Sequence, residues 1–181
     1  PPHLFEIDAE EMVQVRGTHP LVISAYDEVA IEIALQLKEK TDGRVTVITI
    51  GDEDTVESLH QALAMGVDQA IRVTNPGLED TDAFGNAQIL AAAVRQVGDF
   101  DAILCGRQAG DVELGLVGAF LAEELGLPCA TILANIEPEN GKVRMRRSVE
   151  RGYEVLETST PFVATVTNDE SNVPRYASVR G

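Results

Sequence analysis

Two rhythms of apolar residues alternate along the middle of the chain. "RVTVITI" (44–50), "QAIRVT" (69–74), "DAILC" (101–105) and "CATILANI" (129–136) are short runs rich in β-branched residues, the signature of strands. Between them, apolar residues recur three and four positions apart, which predicts helices over 55–66, 83–97 and about 112–125. Gly66, Gly126 and Pro128 are the stop signals. Upstream, "DEVAIEIALQLKEK" (27–40) predicts another helix with Ala30, Ile33, Ala34 and Leu37 facing the core. Short apolar strands separated by helices predict an α/β fold, a parallel sheet with helices on both faces.

After residue 136 the rhythm changes. Asn140-Gly141 is a two-residue hairpin signal, and "KVRMRRSV", "YEVLET" and "FVATVT" predict consecutive antiparallel strands, a C-terminal antiparallel extension of the sheet. At the other end, "LFEID" and "MVQVRG" predict a small hairpin. No repeat, low-complexity tract or internal linker interrupts the pattern, so one domain over 1–181 is expected.

Composition narrows the class. A chain of 181 residues with 44% hydrophobic content can bury a core, and no apolar run approaches the length of a membrane helix. The first residues lack a charged-then-apolar leader, so no secretion signal is expected on this chain. Thirty acidic against fourteen basic residues leave a net charge of -16, which argues against nucleic acid or an anionic membrane as partner. Cys105 and Cys129 both fall in strand-like runs and are expected to be reduced and buried, in a reducing compartment.

Candidate chemistry gathers at "LCGRQAGDVELGLVG" (104–118), where four glycines and one arginine join a strand to a helix. Ligands of parallel sheets bind at the carboxyl ends of strands. There, Gly106 and Gly110 let backbone amides approach a ligand, the following helix offers its positive end, and Arg107 adds one cation. Asp111 is placed to cap that helix. A phosphate is the ligand this arrangement suits, although glycines at such a turn also serve plain close packing. The run is neither a dinucleotide fingerprint nor a P-loop.

At this stretch the sequence resembles the electron transfer flavoprotein beta subunit family. "LCGRQAGDVELGLVGAFLAEELGLPCATILANIE" is similar to that family's G-[KR]-Q-A-x-D loop, helix and following strand. In order along the chain, "YDEVAIEIALQLKEK", "ESLHQALAMGVDQAIRV" and "NVPRYASV" resemble three further family segments. "RSVERGYEVLETSTPFVAT" keeps Arg147, Glu150, Gly152, Glu154, Pro161 and Thr165 at family positions, so the likeness spans residues 22–181.

The resemblance implies a fold of the adenine nucleotide alpha hydrolase-like type and a non-catalytic electron carrier subunit. It implies a heterodimer with an alpha subunit, taking electrons from flavin dehydrogenases to an oxidoreductase. It also implies a bound nucleotide, AMP or a second FAD, and a cytoplasmic or, in a eukaryote, mitochondrial matrix location. Phosphate and ribose contacts then fall on Gly106, Arg107, Gln108, Ala109, Gly110, Asp111, Gly115, Leu116, Val117 and Gly118, with Ser24, Ala25, Tyr26, Asp27 and Ile50 around the adenine. Arg107, Val117 and the "GYEV" run at 152–155 lean toward FAD; Gly110, Glu113 and Leu116 depart from that pattern, and both nucleotides stay open. Ser171, Pro174, Arg175 and Tyr176 are the implied partner contacts, with Ser171 where the family has an apolar anchor. On this resemblance, the family's first strand and C-terminal arm are expected to have no counterpart within residues 1–181.

Other candidates carry less. His3, His19 and His60 lack ligand spacing, so no metal site is expected, and His60 lies one turn from Glu57. In "MRRSVER", strand alternation puts Arg144 and Arg146 on one face and Arg147 on the other, to be paired with surface acids or to anchor a pyrophosphate. Two rival functions remain: a stand-alone adenine-nucleotide-binding regulator, and a nucleotide hydrolase or ligase. The latter lacks a P-loop, clustered carboxylates or a nucleophile–histidine pair.

Overall fold

The structure, a computed structural model, describes residues 21–74, 81–110, 113–139 and 141–177. The N-terminal hairpin, His3, His19, Asp111 and Asn140 lie outside the described residues. Helices α1 (Ala25–Thr41), α2 (Val56–Met65), α3 (Ala83–Val97) and α4 (Val117–Leu125) alternate with β1 (Thr46–Ile50), β2 (Gln69–Val73), β3 (Ala102–Gly106) and β4 (Cys129–Glu139). Three further strands follow: β5 (Lys142–Val149), β6 (Gly152–Thr158) and β7 (Phe162–Val166).

Local chemistry accounts for the boundaries. The Ser24 hydroxyl accepts the Tyr26 amide and caps α1, whose first turn carries Asp27 and Glu28 and whose last carries Lys38 and Lys40, in accord with the helix dipole. Asp82 caps α3 by accepting the Gly85 amide at 2.8 Å.

The five-stranded sheet runs β3-β7-β4-β5-β6, and β1 pairs with β2 in a separate parallel ladder. Strands β3, β7 and β4 are mutually parallel, while β4, β5 and β6 are antiparallel. Sequence pattern places β7 as a third antiparallel strand after β6; instead it enters the parallel half between β3 and β4. The reason is burial. All five residues of β7 are buried, which an edge position beyond the exposed β6 could not provide. Beside it β4 is irregular, with Ile132 at φ 60°, and the Thr165 hydroxyl of β7 accepts the Ile132 amide at 3.1 Å.

Helices cover both faces. Ala102 and Leu104 of β3 pack with Val29, Ala30 and Ile33 of α1, while Ile103 and Cys105 pack with α3 and α4 through Ala87, Ala91 and Leu121. Along its neighbouring flank α1 packs Ile31 and Leu35 against Ala62 and Met65 of α2 and Val47 of β1. Helix α1 therefore bridges the two ladders. Both cysteines are free, but Cys129 is exposed at the first position of β4, against the expectation of burial.

Candidate functional site

Strand β3 ends at Gly106, where the start of α1 presses against it. A Cβ at Gly106 would lie 2.6 Å from Asp27 Oδ1 and 2.9 Å from the Asp27 nitrogen, so only glycine fits. The Gly106 amide donates to Asp27 Oδ1 at 2.8 Å, and the next amide, Arg107, donates to the Val166 carbonyl at 2.8 Å. These two amides are already paired, one by a side chain and one by the sheet. The two amides directly past Cys105 are thus not free to form the expected cradle.

Helix α4 starts at Val117, five residues later than its apolar spacing predicts. Glu113 at φ 54° and Gly115 at φ 63° keep the preceding segment out of helix. The cap position is Leu116, which offers no side-chain acceptor, whereas the expected cap, Asp111, lies outside the described residues. No side-chain cap to the first turn of α4 occurs among the described residues, and Arg107 is exposed, with no ion pair among them. This donor set fits a phosphate.

Other predicted residues take mixed roles. Ser24 links α1 to the loop by donating to the Gln108 carbonyl at 3.4 Å, next to Ala25 and Tyr26. Ala109 accepts the Glu113 amide at 3.3 Å, Gly110 stands in open space, and Ile50 ends β1 in the other ladder. Gly118 is a packing residue: its Cβ would lie 2.5 Å from Thr165 Cγ2 and 3.6 Å from Cys105 Cβ. Crowding by neighbouring atoms raises the Asp27 carboxyl above its usual range against the pull of Gly106 and Ser24, even though the residue keeps solvent contact. Burial, then the Asp27 charge, pushes the Cys105 thiol up to about 12, so it is no nucleophile at neutral pH.

The segment after β7 is locked from within. Asn172, fully buried, donates from Nδ2 to the Ala134 and Thr167 carbonyls and accepts the Asp169 amide. Asp169 accepts the Ser171 amide and hydroxyl, the Tyr153 hydroxyl and Arg146 Nη2, and Arg146 lies over the Tyr153 ring at 4.4 Å. The Ser171 hydroxyl, then the Ser171 amide and the Tyr153 hydroxyl, with a smaller pull from Arg146, hold the Asp169 carboxyl below its usual range. Arg175 donates to Glu32 from its backbone nitrogen, Nε and Nη2 (3.1, 2.8 and 3.0 Å) and to Glu39 from Nη1 at 2.7 Å. Of the four residues expected to meet a partner, Ser171 and Arg175 are engaged internally and Pro174 is half-buried, while Tyr176 is 98% exposed.

Glu32, Asp169 and Asn172 carry no sequence signal; a carboxylate inside a helical pattern reads as solvated. The arginines pair with acids: Arg144 faces Glu139 at 3.9 Å, Arg146 Asp169 at 2.9 Å and Arg147 Glu154 at 3.4 Å. His60 is an exposed neighbour of Glu57 at 3.9 Å, and no group of side chains suited to a metal occurs among the described residues.

Residues 12–180 match the sequence profile of the electron transfer flavoprotein domain. The chain belongs to the electron transfer flavoprotein family. It is 37% identical over 175 residues to the electron transfer flavoprotein subunit beta of Thermoanaerobacterium thermosaccharolyticum, covering 97% of this chain and 66% of that protein. Identity to the subunit beta of Clostridium acetobutylicum is 36% over 173 residues, covering 96% and 66%. The acryloyl-CoA reductase electron transfer subunit gamma of Anaerotignum propionicum is 34% identical over 168 residues, covering 92% and 63%. This electron transfer flavoprotein chain therefore spans about two thirds of those relatives. No helix among its described residues is long and apolar enough to cross a membrane.

Proposed function

We propose that the chain is the beta-type subunit of an electron transfer flavoprotein, a carrier and not an enzyme, holding AMP or FAD and pairing with an alpha subunit. Electrons would pass from a flavin dehydrogenase to an oxidoreductase through the pair. The supporting observation is the exposed Arg107 at the carboxyl end of β3, on the loop to α4, whose start has no side-chain cap among the described residues. Backbone dipoles can hold a phosphate there in a chain of net charge -16, because the attraction is local. Residues Ser24 to Asp27 border the nucleoside, and Arg107 with the first turn of α4 takes the phosphate. A bound FAD would supply one- and two-electron chemistry; the protein's own part is to bind, orient and shield it. We place this function in the cytoplasm, or the mitochondrial matrix of a eukaryote.

The test is mass spectrometry of the nucleotide released when the complex co-purified with its alpha partner is denatured, with a visible spectrum taken first. A yellow heterodimer that releases AMP or FAD from the beta-type subunit supports the proposal. A colourless homodimer would favour the stand-alone regulator, and a protein free of nucleotide would refute both.

A further inference from the structure

We propose that Arg146, Tyr153 and Asp169 form a latch with two settings, which ties the turn after β7 to the β5–β6 hairpin and re-pairs without unfolding either. None of the three belongs to the nucleotide site proposed above. In the setting observed, Asp169 Oδ1 accepts Arg146 Nη2 at 2.9 Å and the Ser171 amide and hydroxyl at 3.1 and 2.7 Å. Its other oxygen, Oδ2, accepts the Tyr153 hydroxyl at 2.9 Å. Ser171, where the resemblance expects an apolar anchor, thus supplies two of these donors.

One donor is left over. Arg146 Nε is buried and finds no acceptor among the described residues, which is costly for a charged group. Nε and Nη2 of a guanidinium form a fork that matches both oxygens of a carboxylate, but here Nη2 alone reaches Asp169. The Tyr153 hydroxyl holds the oxygen that Nε would take. In the second setting Asp169 gives up Tyr153 and closes on both teeth of the fork, so the carboxylate keeps as many donors as before. Little opposes the exchange. Tyr153 is 51% exposed, so water can take up the released hydroxyl, and Arg146 lies over its ring at 4.4 Å in either case. Behind the turn, Asn172 stays bonded to the Ala134 and Thr167 carbonyls and to the Asp169 amide, so movement is confined to side chains. A hydrogen-bond acceptor brought to Tyr153, such as a backbone carbonyl of a docked chain, would favour the second setting, because the two differ in whether that hydroxyl is free. Contact at β6 is then felt at the turn.

The experiment follows Arg146 in the full chain by NMR, with Tyr153→Phe as the substitution that forces the second setting. The Hε resonance of Arg146 should move downfield in that variant, as Nε gains Asp169. Stability is then read by urea unfolding in a double-mutant cycle with Arg146→Lys, which keeps the charge and removes the fork. With Arg146 in place, Tyr153→Phe should change the unfolding equilibrium constant less than about threefold, because Nε replaces the lost donor. Combined with Arg146→Lys it should cost about tenfold, since nothing replaces that hydrogen bond. An Hε resonance that stays where it is, or equal costs in both backgrounds, would overturn the latch and leave a fixed cluster. Should Arg146→Lys not fold, the resonance in Tyr153→Phe decides alone.

Discussion

Replacing Arg175 by alanine should destabilise the fold through a group it leaves behind. The Glu32 side chain is 7% exposed and receives three hydrogen bonds from Arg175 and one from Gln36. Burial alone would raise its carboxyl, but the donors of Arg175 and Gln36 outweigh burial and hold it below the usual range. Breaking a buried pair by removing one partner costs about 3–5 kcal/mol. Arg175 is itself 35% exposed, so solvent screens part of the interaction and about 2 kcal/mol is the expected loss. For a chain of this length that corresponds to a fall in Tm of roughly 4–8 °C at neutral pH.

The pH dependence carries the sharper test. A depressed carboxyl contributes stability that is present above its unfolded pKa and lost as pH falls through the folded value. In the variant, burial without Arg175 raises the Glu32 carboxyl, so protonation relieves the fold as pH falls. The difference in Tm between wild type and variant, read by scanning calorimetry from pH 7 to pH 4, should therefore shrink toward the acid end. A constant difference, or one below about 1 °C at pH 7, would refute the reasoning.

Three other outcomes follow from single contacts. Gly118→Ala drives a methyl into Thr165 Cγ2 and should cost about 1–3 kcal/mol by urea unfolding. Adding Thr165→Ser removes that carbon, keeps the hydroxyl for the Ile132 amide, and should recover part of the loss; no recovery would place the clash elsewhere. Native protein should give one faster-reacting thiol per chain with a disulfide reagent, the exposed Cys129, and a second only on unfolding, because Cys105 is half-buried and desolvation pushes its thiol up to about 12. Arg107→Ala should weaken FAD retention about tenfold and AMP less, since a pyrophosphate offers the guanidinium more charge-assisted contacts; equal losses measured by calorimetry would argue against FAD.

Element identity was legible because apolar spacing follows directly from which face a helix or strand buries. Helix α3 occupies 83–97 as its pattern predicts, and Ala30 and Ile33 of α1 do face the core. The place of β7 was not legible. An unbroken apolar run reports burial on both sides but names no neighbour, and the neighbours of β7 are two distant strands. At the candidate site, the glycine of the strand end was legible as a close approach, yet what approaches is the start of α1. A turn of the chain that falls between spatial neighbours leaves no periodic trace, which is also why the late start of α4 and the burial of Glu32 went unseen.

The strand that joins β3 to β4, β7, is the last in chain order among the described strands. Until Phe162–Val166 emerges, β3 and β4 lack the strand that separates and joins them, while the hairpin β5–β6 can already close on β4 through local turns. A ribosome-bound chain halted before residue 162 should consequently protect its hairpin from proteolysis and leave α3 and α4 open to cleavage. Completion of the α1–β3–α4 junction, and with it any grip on a nucleotide, is thereby postponed until residues 162–166 have been made.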